Sequence, residues 1–508
     1  MSRKIPSPVL LLAAIFSASV CSAAGSEEPR NEKHRAERPP NFIIFFTDDQ
    51  GYNDVGCFGA AGILTPHLDR MAEEGTRFTD FYVQPVCGVS RAALMTGCYP
   101  IRVAEVGNKK AGHPVLHPKE ITMAEVFETR GYATALIGKW HLAGGGKNSR
   151  GPGTGPFRSE LMPRAQGFDY FFGTPAHNGF TREVNKKYIT ELMRNEDMLE
   201  SPTDMDLLTQ KYTAEAIRFI TENKDRPFFL YLAHNMPHVP LGASKEFRGK
   251  SKRGLYGDVI QELDHSAGQV IDTLKNLDID RQTLMVFTSD NGPWVESHLA
   301  GKTETDNYYG RADPLKGHKM TTYEGGPRVP CIMRWPGKIP AGRVCRELVT
   351  SMDLLPTFAR LAGAKIPADR TIDGKNVLPV ILGEPDVENP RKTYFYYSYN
   401  HLQAVRNGKW KLVLPRPAKP PWCSWSARMT TAVEEITLYD LRSDTVTGSN
   451  GAERNNVATE HAEVVAELMR LIEQAREDLG DYDRIGKGAR FFEEGVQRPD
   501  ALRWQNRS

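Results

Sequence analysis

The sequence lacks the features that mark several large classes of protein. Its 65 Lys and Arg residues are balanced by 63 Asp and Glu residues, giving a net charge of +2, whereas a nucleic-acid-binding protein usually has a clear basic excess. Seven cysteines among 508 residues are too few for a disulfide scaffold. No apolar run approaches the roughly 20 residues of a transmembrane helix, and no internal repeat is visible. These absences leave a globular protein, whose length allows about three domains at roughly 150 residues each.

The first 24 residues indicate export. A short basic start precedes an apolar run at residues 9–16, and small residues suited to cleavage follow it. We therefore predict that residues 1–24 are a signal peptide and that the mature protein is periplasmic or extracellular, without a transmembrane segment. Cys21 stands where a lipoprotein cysteine could be anchored, but Val20 is a poor residue before it. Residues 25–40 are charged and proline-rich, and we expect a flexible lead-in there.

Four short apolar runs predict buried strands. They lie at residues 41–46, 132–137, 228–233 and 284–288. Being apolar throughout and rich in β-branched or aromatic residues, they are typical of strands buried on both faces. Helical patterns lie between them, most clearly at residues 257–277. The alternation predicts an α/β fold with a large, mostly parallel sheet flanked by helices.

Each of the four runs is followed by side chains that can do chemistry. They are Asp48 and Asp49 after the first run, Lys139 and His141 after the second, His234 and His238 after the third, and Asp290 and Asn291 after the fourth. Because ligands bind at the carboxyl ends of such strands, we expect the four groups to converge on one site. Any one group alone is more often an ordinary strand-to-loop transition.

Four of these side chains offer only hard oxygen ligands. They are Asp48, Asp49, Asp290 and Asn291. With no Cys and no His among them, the set suits Ca²⁺ or Mg²⁺ better than zinc. The alternative for each acid is a helix cap or a turn former, and the sequence DNG at residues 290–292 is by itself typical of a turn.

Cys87 lies just before a short predicted helix that Gly97 ends. The exposed N–H groups at a helix start favour an anion, and Arg91 lies one turn further on. This chemistry alone predicts that Cys87 is an activated thiol nucleophile, with a Cys–His hydrolase as the rival enzyme. The alternative without function is a buried structural cysteine, the usual fate of a free Cys.

The segment CGVSR at residues 87–91, continued by AALMTG, resembles the signature of the formylglycine-dependent sulfatases, which have the alkaline phosphatase superfamily fold. Further segments that resemble the family, in its order, are FTDDQG at 46–51, GKWHL at 138–142, PHVP at 237–240, TSDNG at 288–292 and GHKMTTYEGG at 317–326. Together they cover about residues 40–380. The family usually has Pro or Ala where this chain has Val89, a departure that bears on how efficiently the cysteine is matured.

The resemblance implies a particular reaction. A sulfate monoester has a diffuse negative charge on a poor leaving group, so its cleavage needs cations, an in-line nucleophile and a proton for the departing alcohol. In the family Cys87 would be oxidised to formylglycine by a formylglycine-generating or equivalent maturation enzyme and then hydrated to a geminal diol. One hydroxyl attacks sulfur, and the other later expels sulfate, which a thiol could not do.

The resemblance also implies the role of each site residue. Asp48, Asp49, Asp290, Asn291 and the modified Cys87 would bind Ca²⁺, with Mg²⁺ as the alternative. Arg91 and Lys139 would hold the formylglycine, and Lys319 would reach the sulfate. His141 would orient or deprotonate the diol, and His238 would protonate the leaving oxygen or bind sulfate. Lys139, His238 and Lys319 would thus form the substrate-binding set.

A smaller unit is predicted after the catalytic domain. We assign residues 41–385 to a sulfatase catalytic domain and residues 386–508 to a C-terminal subdomain with a small antiparallel sheet and one helix. Its predicted elements are strands at 394–399 and 437–441, a hairpin at 404–414 and a helix at 460–479. The dipeptide Asn407-Gly408 predicts a type I′ turn in the hairpin.

Two other functions fit parts of the pattern. A phosphate or phosphonate ester hydrolase shares the fold, although a zinc phosphatase would want a Ser or Thr nucleophile and several His ligands. A secreted binding protein that is never matured at Cys87 is favoured only by Val89.

The substrate is expected to be a sulfated polysaccharide or an aryl sulfate. Specificity should lie in the loops at residues 144–180 and 293–315. Weak candidates for contact with a sugar are His177, Trp294, His298 and Trp422.

Overall fold

The computed structural model describes residues 38–103, 116–144, 157–178, 182–184, 187–295, 308–420, 429–442 and 453–490. The predicted signal peptide and most of the lead-in lie outside the described residues. The described residues from 39 to 490 form one compact unit, and the boundary at residue 385 stays a prediction. Among the described helices, none combines the length and the apolar character needed to cross a membrane.

The strands and helices of the described residues are numbered in chain order. The strands are β1 (Asn41–Thr47), β2 (Thr76–Tyr82), β3 (Ala133–Lys139), β4 (Tyr170–Thr174), β5 (Arg182–Val184), β6 (Lys187–Ile189), β7 (Leu192–Arg194), β8 (Asp197–Glu200), β9 (Phe228–Ala233), β10 (Thr283–Ser289), β11 (Arg328–Arg334), β12 (Arg343–Cys345), β13 (Val349–Thr350), β14 (Thr393–Ser398), β15 (His401–Asn407), β16 (Trp410–Val413), β17 (Thr437–Asp440), β18 (Gly480–Asp481) and β19 (Arg484–Ile485). The helices are α1 (Pro66–Glu73), α2 (Cys87–Thr96), α3 (Pro100–Val103), α4 (Met123–Glu128), α5 (Leu208–Glu222), α6 (Gly254–Asn276), α7 (Leu354–Ala362), α8 (Leu378–Leu382) and α9 (Ala462–Asp478).

The large sheet confirms the predicted fold class. Its centre is the parallel series β10-β1-β9-β3-β4. Phe46 in β1 is opposite both Ala233 and Thr288, so the carboxyl ends of β1, β9 and β10 lie at one edge. Antiparallel strands extend both sides, β11 and β2 beyond β10, and β7 and β8 beyond β4.

Burial on both faces explains why the central strands are apolar at every position. In β1, Phe42, Ile44 and Phe46 pack in a core that includes α2, α4 and α7. Ile43 and Phe45 point the other way, into a core that includes α1, α5 and α6. Helices therefore cover both faces of the sheet, as a parallel sheet requires.

The four predicted strands are confirmed as β1, β3, β9 and β10, and the predicted helix at 257–277 is α6. The sequence did not predict β11, which pairs antiparallel with β10, or β2, which pairs antiparallel with β11. Pro330 lies within β11, where the pairing with β2 shifts register between Val329 and Cys331. A proline cannot donate to a ladder, so it is tolerated at such an irregularity.

The C-terminal sheet also follows the prediction, except at its hairpin. Strands β14–β17 form an antiparallel sheet. Asn407 pairs with Trp410, so the turn residues are Gly408 and Lys409 rather than Asn407 and Gly408. Only Gly408 of these two has a positive φ, at 55°. A type I′ turn needs positive φ at both positions, so that part of the prediction is wrong.

Gly138 allows β3 to approach β9 next to the site. Its φ is 116°, and an added Cβ would lie 1.8 Å from the carbonyl oxygen of Ala233. No other residue fits without moving the backbone. The next residue, Lys139, is therefore held at a fixed position at the carboxyl end of β3.

Candidate active site

The ends of neighbouring parallel strands bring the predicted groups together. Asp48 and Asp49 follow β1, Lys139 ends β3, and Asp290 and Asn291 follow β10. The N–H of Asp49 donates to Asp290 Oδ1 at 3.1 Å, and the side-chain amide of Asn291 donates to Asp49 Oδ1 at 2.7 Å. All five side chains are buried. The roles predicted for them stay predictions.

Three oxygens of this cluster are buried and have no hydrogen-bond partner among the residues that the structure describes. They are Asp48 Oδ1, Asp49 Oδ2 and Asn291 Oδ1. The Sγ of Cys87, one oxygen of Asp48 and one of Asp290 lie within 4.8 Å of one another. Buried polar atoms without partners are costly and usually indicate an ion or a ligand. The donor set therefore fits a hard cation.

The surrounding charges act unequally on the carboxylates. Burial alone would raise the pKa of Asp48, but the charge of Lys139 and other nearby cations hold that pKa well below its usual value. Burial, and then the charge of Asp48, raise the pKa of Asp290 to about 7. A divalent cation beside Asp290 would favour its ionised form. Burial and the neighbouring carboxylate therefore make the ionised form of Asp290 costly in the absence of a bound cation.

Cys87 is the first residue of α2, one position further along the helix than predicted. Its side chain is 5% exposed. Burial raises the pKa of the thiol, although Lys139 and Lys319 act in the opposite direction. As a free thiol Cys87 is therefore protonated at neutral pH. Without a bound cation this disfavours the activated thiolate that the sequence predicts, and with it the Cys–His hydrolase.

Arg91 links three of the elements that form the site. From the second turn of α2, its Nε and Nη2 donate to Asp290 Oδ2 at 3.2 and 2.8 Å. Its Nη1 donates to the carbonyl of Lys139 at 2.9 Å. The planar fork of donors holds α2, β3 and β10 at a fixed spacing beside Cys87.

Two lysines add positive charge to the cluster. Lys139 Nζ donates to Asp48 Oδ2, and Lys319 Nζ donates to Asp49 Oδ1. Burial is the largest single effect and acts against the charged form of Lys319, but the nearby anionic groups, Asp49 foremost, together outweigh it and raise the pKa of the ammonium. The same ammonium lies 5.8 Å from the ring centre of Trp294, which the sequence had marked as a weak candidate.

His238 presents one ring nitrogen to the cluster. Its Nδ1 lies against the carbonyl of Val239, which can only accept, so Nδ1 carries the proton. Its Nε2 is 3.8 Å from Asp49 Oδ2. Burial lowers the pKa of His238 to about 4. The ring is therefore neutral at pH 7, with Nε2 available as a base unless an anion beside it favours the charged form.

Comparison of the chain with models of known protein families identifies the family to which it belongs. The family model described as Sulfatase matches residues 40–364, and the model described as N-sulphoglucosamine sulphohydrolase, C-terminal, matches residues 318–478. The chain belongs to the sulfatase family. It is accordingly an enzyme that hydrolyses sulfate esters.

Named relatives and solved structures agree with this assignment. The chain is 37% identical to dog N-acetylgalactosamine-6-sulfatase over 397 residues, which cover 74% of this chain and 72% of the relative. It is 36% identical to human arylsulfatase A over 473 residues, which cover 85% and 87%. A solved structure from the metabolism of multiple glycosaminoglycans by Bacteroides thetaiotaomicron superposes with a TM-score of 0.70 at 29% identity, covering 86% of this chain and 99% of that one.

His177, which the sequence indicated only as a weak candidate for contact with a sugar, lies beside two of the predicted site residues of the sulfatase. Its ring centre lies 4.9 Å from that of His141 and 5.7 Å from that of His238, so the three rings form a row. Burial lowers the pKa values of His141 and His177, so both are neutral at pH 7. His177 follows β4, a parallel strand beside β3, and the rule that found the other four groups applies to it as well.

Two other weak candidates, His298 and Trp422, lie outside the described residues.

An amide pair supports the turn that carries His238. The Asn235 amide donates to Thr174 Oγ1 at 2.9 Å and to Asn178 Oδ1 at 2.6 Å. Asn178 in turn donates to the carbonyl of His238 at 2.8 Å. This network ties the ends of β4 and β9 together, so the position of the His238 ring depends on residues that do not reach the oxygen cluster.

The C-terminal sheet holds the loop of Lys319. Lys411 in β16 donates to the carbonyl of Thr322 at 2.8 Å and pairs with Glu324 at 3.0 Å. It also pairs with Glu453 at 2.9 Å, and all three charged side chains are fully buried. The loop that carries Lys319 is therefore fixed from the second sheet as well as from the first.

We expect Lys411→Met to destabilise the sulfatase by about 3–5 kcal/mol, because it leaves Glu324 and Glu453 buried without their shared cation. Urea unfolding would measure this. The matched control is Lys409→Met, which removes an exposed lysine from the same hairpin and should change stability by less than about 1 kcal/mol. Equal unfolding midpoints for the two variants would contradict the prediction.

Proposed function

We propose that this sulfatase is exported and cleaves sulfate monoesters with a formylglycine made from Cys87 and one bound Ca²⁺. The observation that carries the proposal is the buried cluster in which Cys87 lies within 4.8 Å of the oxygens of two acids. Export rests on the sequence of residues 1–24. We also propose that residues 41–385 are the catalytic domain and residues 386–508 a C-terminal subdomain, which the second, antiparallel sheet supports.

The side chains fit a calcium ion. The proposed ligands are Asp48, Asp49, Asp290, Asn291 and the modified residue 87. Three oxygens of this set are buried without partners, and carboxylate and amide oxygens are the donors that Ca²⁺ prefers. When bound, the ion would supply positive charge that stabilises the reacting sulfate group. Mg²⁺, which demands stricter octahedral geometry, is the alternative.

A formylglycine at position 87 would supply, once hydrated, a hydroxyl nucleophile that a buried, protonated thiol does not. In the folded chain Cys87 and Val89 are each 5% exposed, within the first turn of α2. The maturation enzyme, which we propose as a partner, must therefore act before this helix forms. Val89 favours the extended backbone that such an enzyme would bind.

The basic side chains orient residue 87, bind the sulfate group and transfer protons. Arg91 and Lys139 orient residue 87, since Arg91 spans α2, β3 and β10 around it. Lys319 binds a sulfate oxygen opposite Asp49. His141, which is neutral, can accept a proton from the nucleophile. An anionic substrate beside Nε2 of His238 favours its charged form, which can then protonate the departing alcohol.

For the substrate we propose a sulfated glycan. One relative is named for a sulfated sugar, N-acetylgalactosamine-6-sulfate, and solved neighbours include a complex with k-i-k-neocarrahexaose. An arylsulfatase and a steryl-sulfatase are also among the relatives, so a simple aryl sulfate is the practical probe of activity.

The test is sulfate release from 4-nitrophenyl sulfate and from a panel of heparin, chondroitin sulfate and carrageenan. We expect release from the aryl ester and from at least one polysaccharide. A 4-nitrophenyl phosphate arm addresses the rival phosphate ester hydrolase. Faster turnover of the phosphate than of every sulfate ester would overturn the proposal.

A further inference from the structure

A cavity of about 260 Å³ lies at the edge of the large sheet, beside the end of β17. Its lining includes Arg77, Arg328, Arg346, Arg442, Tyr52 and Phe58. It is smaller than the roughly 300–1,000 Å³ of a pocket for a drug-sized ligand, so it suits one charged group or one sugar unit.

The cavity has a strong excess of positive charge. Four arginines line it, and among the described residues of its lining Asp80 is the only carboxylate. Both oxygens of Asp80 are already engaged, Oδ1 by Arg406 at 2.7 Å and Oδ2 by Arg328 at 3.1 Å. Asp80 therefore has little capacity to neutralise the other three arginines. This local excess contrasts with the near-neutral charge of the whole chain.

Several of the side chains that line the cavity are held in place by contacts with one another. Tyr52 and Arg328 are buried and form its floor. The guanidinium of Arg77 lies 5.5 Å from the ring centre of Phe58. Arg442 Nη2 donates to the carbonyl of Arg346 at 3.0 Å, and these two exposed residues form the rim. The donors at the rim thus have defined positions next to solvent.

The cavity is close to the proposed active site along two segments. Tyr52 is three residues after Asp49, and Pro314, also in the lining, is five residues before Lys319. Fully extended, these segments span at most about 11 Å and about 18 Å. A short oligosaccharide is long enough to bridge separations of this size.

We propose that this arginine-lined cavity binds a sulfate or carboxylate group of a polyanionic glycan whose scissile ester occupies the active site. The inference deepens the proposed function, since it requires a substrate with at least two anionic groups. Planar guanidinium groups suit both anions, because each can accept two parallel hydrogen bonds.

Binding is the primary test, since it does not depend on turnover. Two full-length proteins are compared, one with Cys87→Ala alone and one with Cys87→Ala together with R346A and R442A. Surface plasmon resonance measures the affinity of each for heparin, chondroitin sulfate and carrageenan. We expect the polysaccharide that binds best to lose about tenfold in affinity, with the difference shrinking at high salt. The control carries R164A and R470A, two exposed arginines away from the cavity, and should lose less than about twofold. Equal losses in the two double variants would overturn the proposal.

Two further measurements, of aryl sulfate hydrolysis and of thermal unfolding, distinguish a glycan-binding cavity from one that binds free sulfate. With Cys87 intact, R346A/R442A should hydrolyse 4-nitrophenyl sulfate at the wild-type rate, because the small ester cannot reach the cavity. Thermal unfolding with inorganic sulfate tests a free anion as the occupant. If the double substitution removes a sulfate-induced shift but leaves polysaccharide affinity unchanged, the cavity binds free sulfate and the glycan proposal is wrong. Absence of all esterase activity would refute the proposed function and leave the binding comparison valid.

Discussion

Replacing Cys87 by alanine is expected to reduce sulfate release by about 10⁵-fold or more, since it removes the group from which the nucleophile is proposed to form. The fold should survive, because alanine is a good helix former and Cys87 lies in the first turn of α2. Aryl sulfate turnover and urea unfolding of the purified variant measure the two effects separately. Activity within tenfold of wild type would show that Cys87 is not the precursor of the nucleophile.

Cys98→Ala is the matched control for this prediction. Cys98 is also buried, and its Sγ contacts the carbonyls of Thr96 and Thr371 at 3.4 Å rather than the oxygen cluster. The two substitutions remove the same atoms from similarly enclosed positions. Only Cys87→Ala should abolish activity if chemistry, rather than packing, is what position 87 provides.

Mass spectrometry of the Cys87 peptide from the native host distinguishes the matured enzyme from an unmatured binding protein. A formylglycine residue differs from cysteine by the loss of the thiol group and the gain of an aldehyde oxygen. We expect the modified peptide to predominate. A peptide containing only unmodified thiol would overturn the formylglycine mechanism and would favour the secreted binding protein.

The oxygen cluster was predictable because one local signal determines it. Asp48, Asp49, Asp290 and Asn291 each directly follow a run of buried residues, and parallel strands bring such positions to one edge. His177 was undervalued because β4 was not among the predicted strands, so nothing in the sequence marked its position as a strand end. His177 is a candidate because its ring lies between those of His141 and His238, and the distances between these residues along the sequence do not predict this arrangement.

Contacts between distant segments were beyond sequence reasoning for a physical reason. Lys411 and Glu324 are 87 residues apart, and neither has a neighbouring pattern that requires a buried partner. A lysine in a strand is usually solvated, and only the packing of the two sheets makes Lys411 a buried cation. The same holds for the arginine-lined cavity. Its residues come from the segment after β1, from β2, from the loop before β11, from β11 itself and from the ends of β12 and β17.

The reactivity of Cys87 shows where local chemistry gave the wrong answer. A helix start and nearby lysines both favour a thiolate, as the sequence indicated. Burial at position 87 outweighs them and raises the pKa of the thiol instead. A free thiol there would be a poor nucleophile, which strengthens the reason for converting it.

Asp49→Asn is expected to lower calcium affinity by at least about 100-fold and sulfate release by about 1,000-fold when calcium is limiting. Asparagine keeps the shape of the side chain and can still accept from the Lys319 ammonium, but it removes one negative charge and one of the buried oxygens without a partner. Metal content after dialysis, measured by mass spectrometry, reports the loss independently of activity. The wild-type chain should hold one calcium ion per molecule, and a chelator should remove both the ion and the activity.

The control for the loss of charge is Asp54→Asn. Asp54 is buried five residues further along, where it accepts from the N–H of Gly51 and from the Tyr256 hydroxyl, and it has no contact with the oxygen cluster. Its replacement should cost stability but leave one calcium ion bound. Because Asp49 Oδ2 has no hydrogen-bond partner while both Asp54 oxygens are satisfied, only the first carboxylate has an oxygen to give to a cation. Full calcium occupancy in Asp49→Asn would exclude Asp49 as a ligand, and restoration of the chelated enzyme by Mg²⁺ but not Ca²⁺ would identify the smaller ion instead.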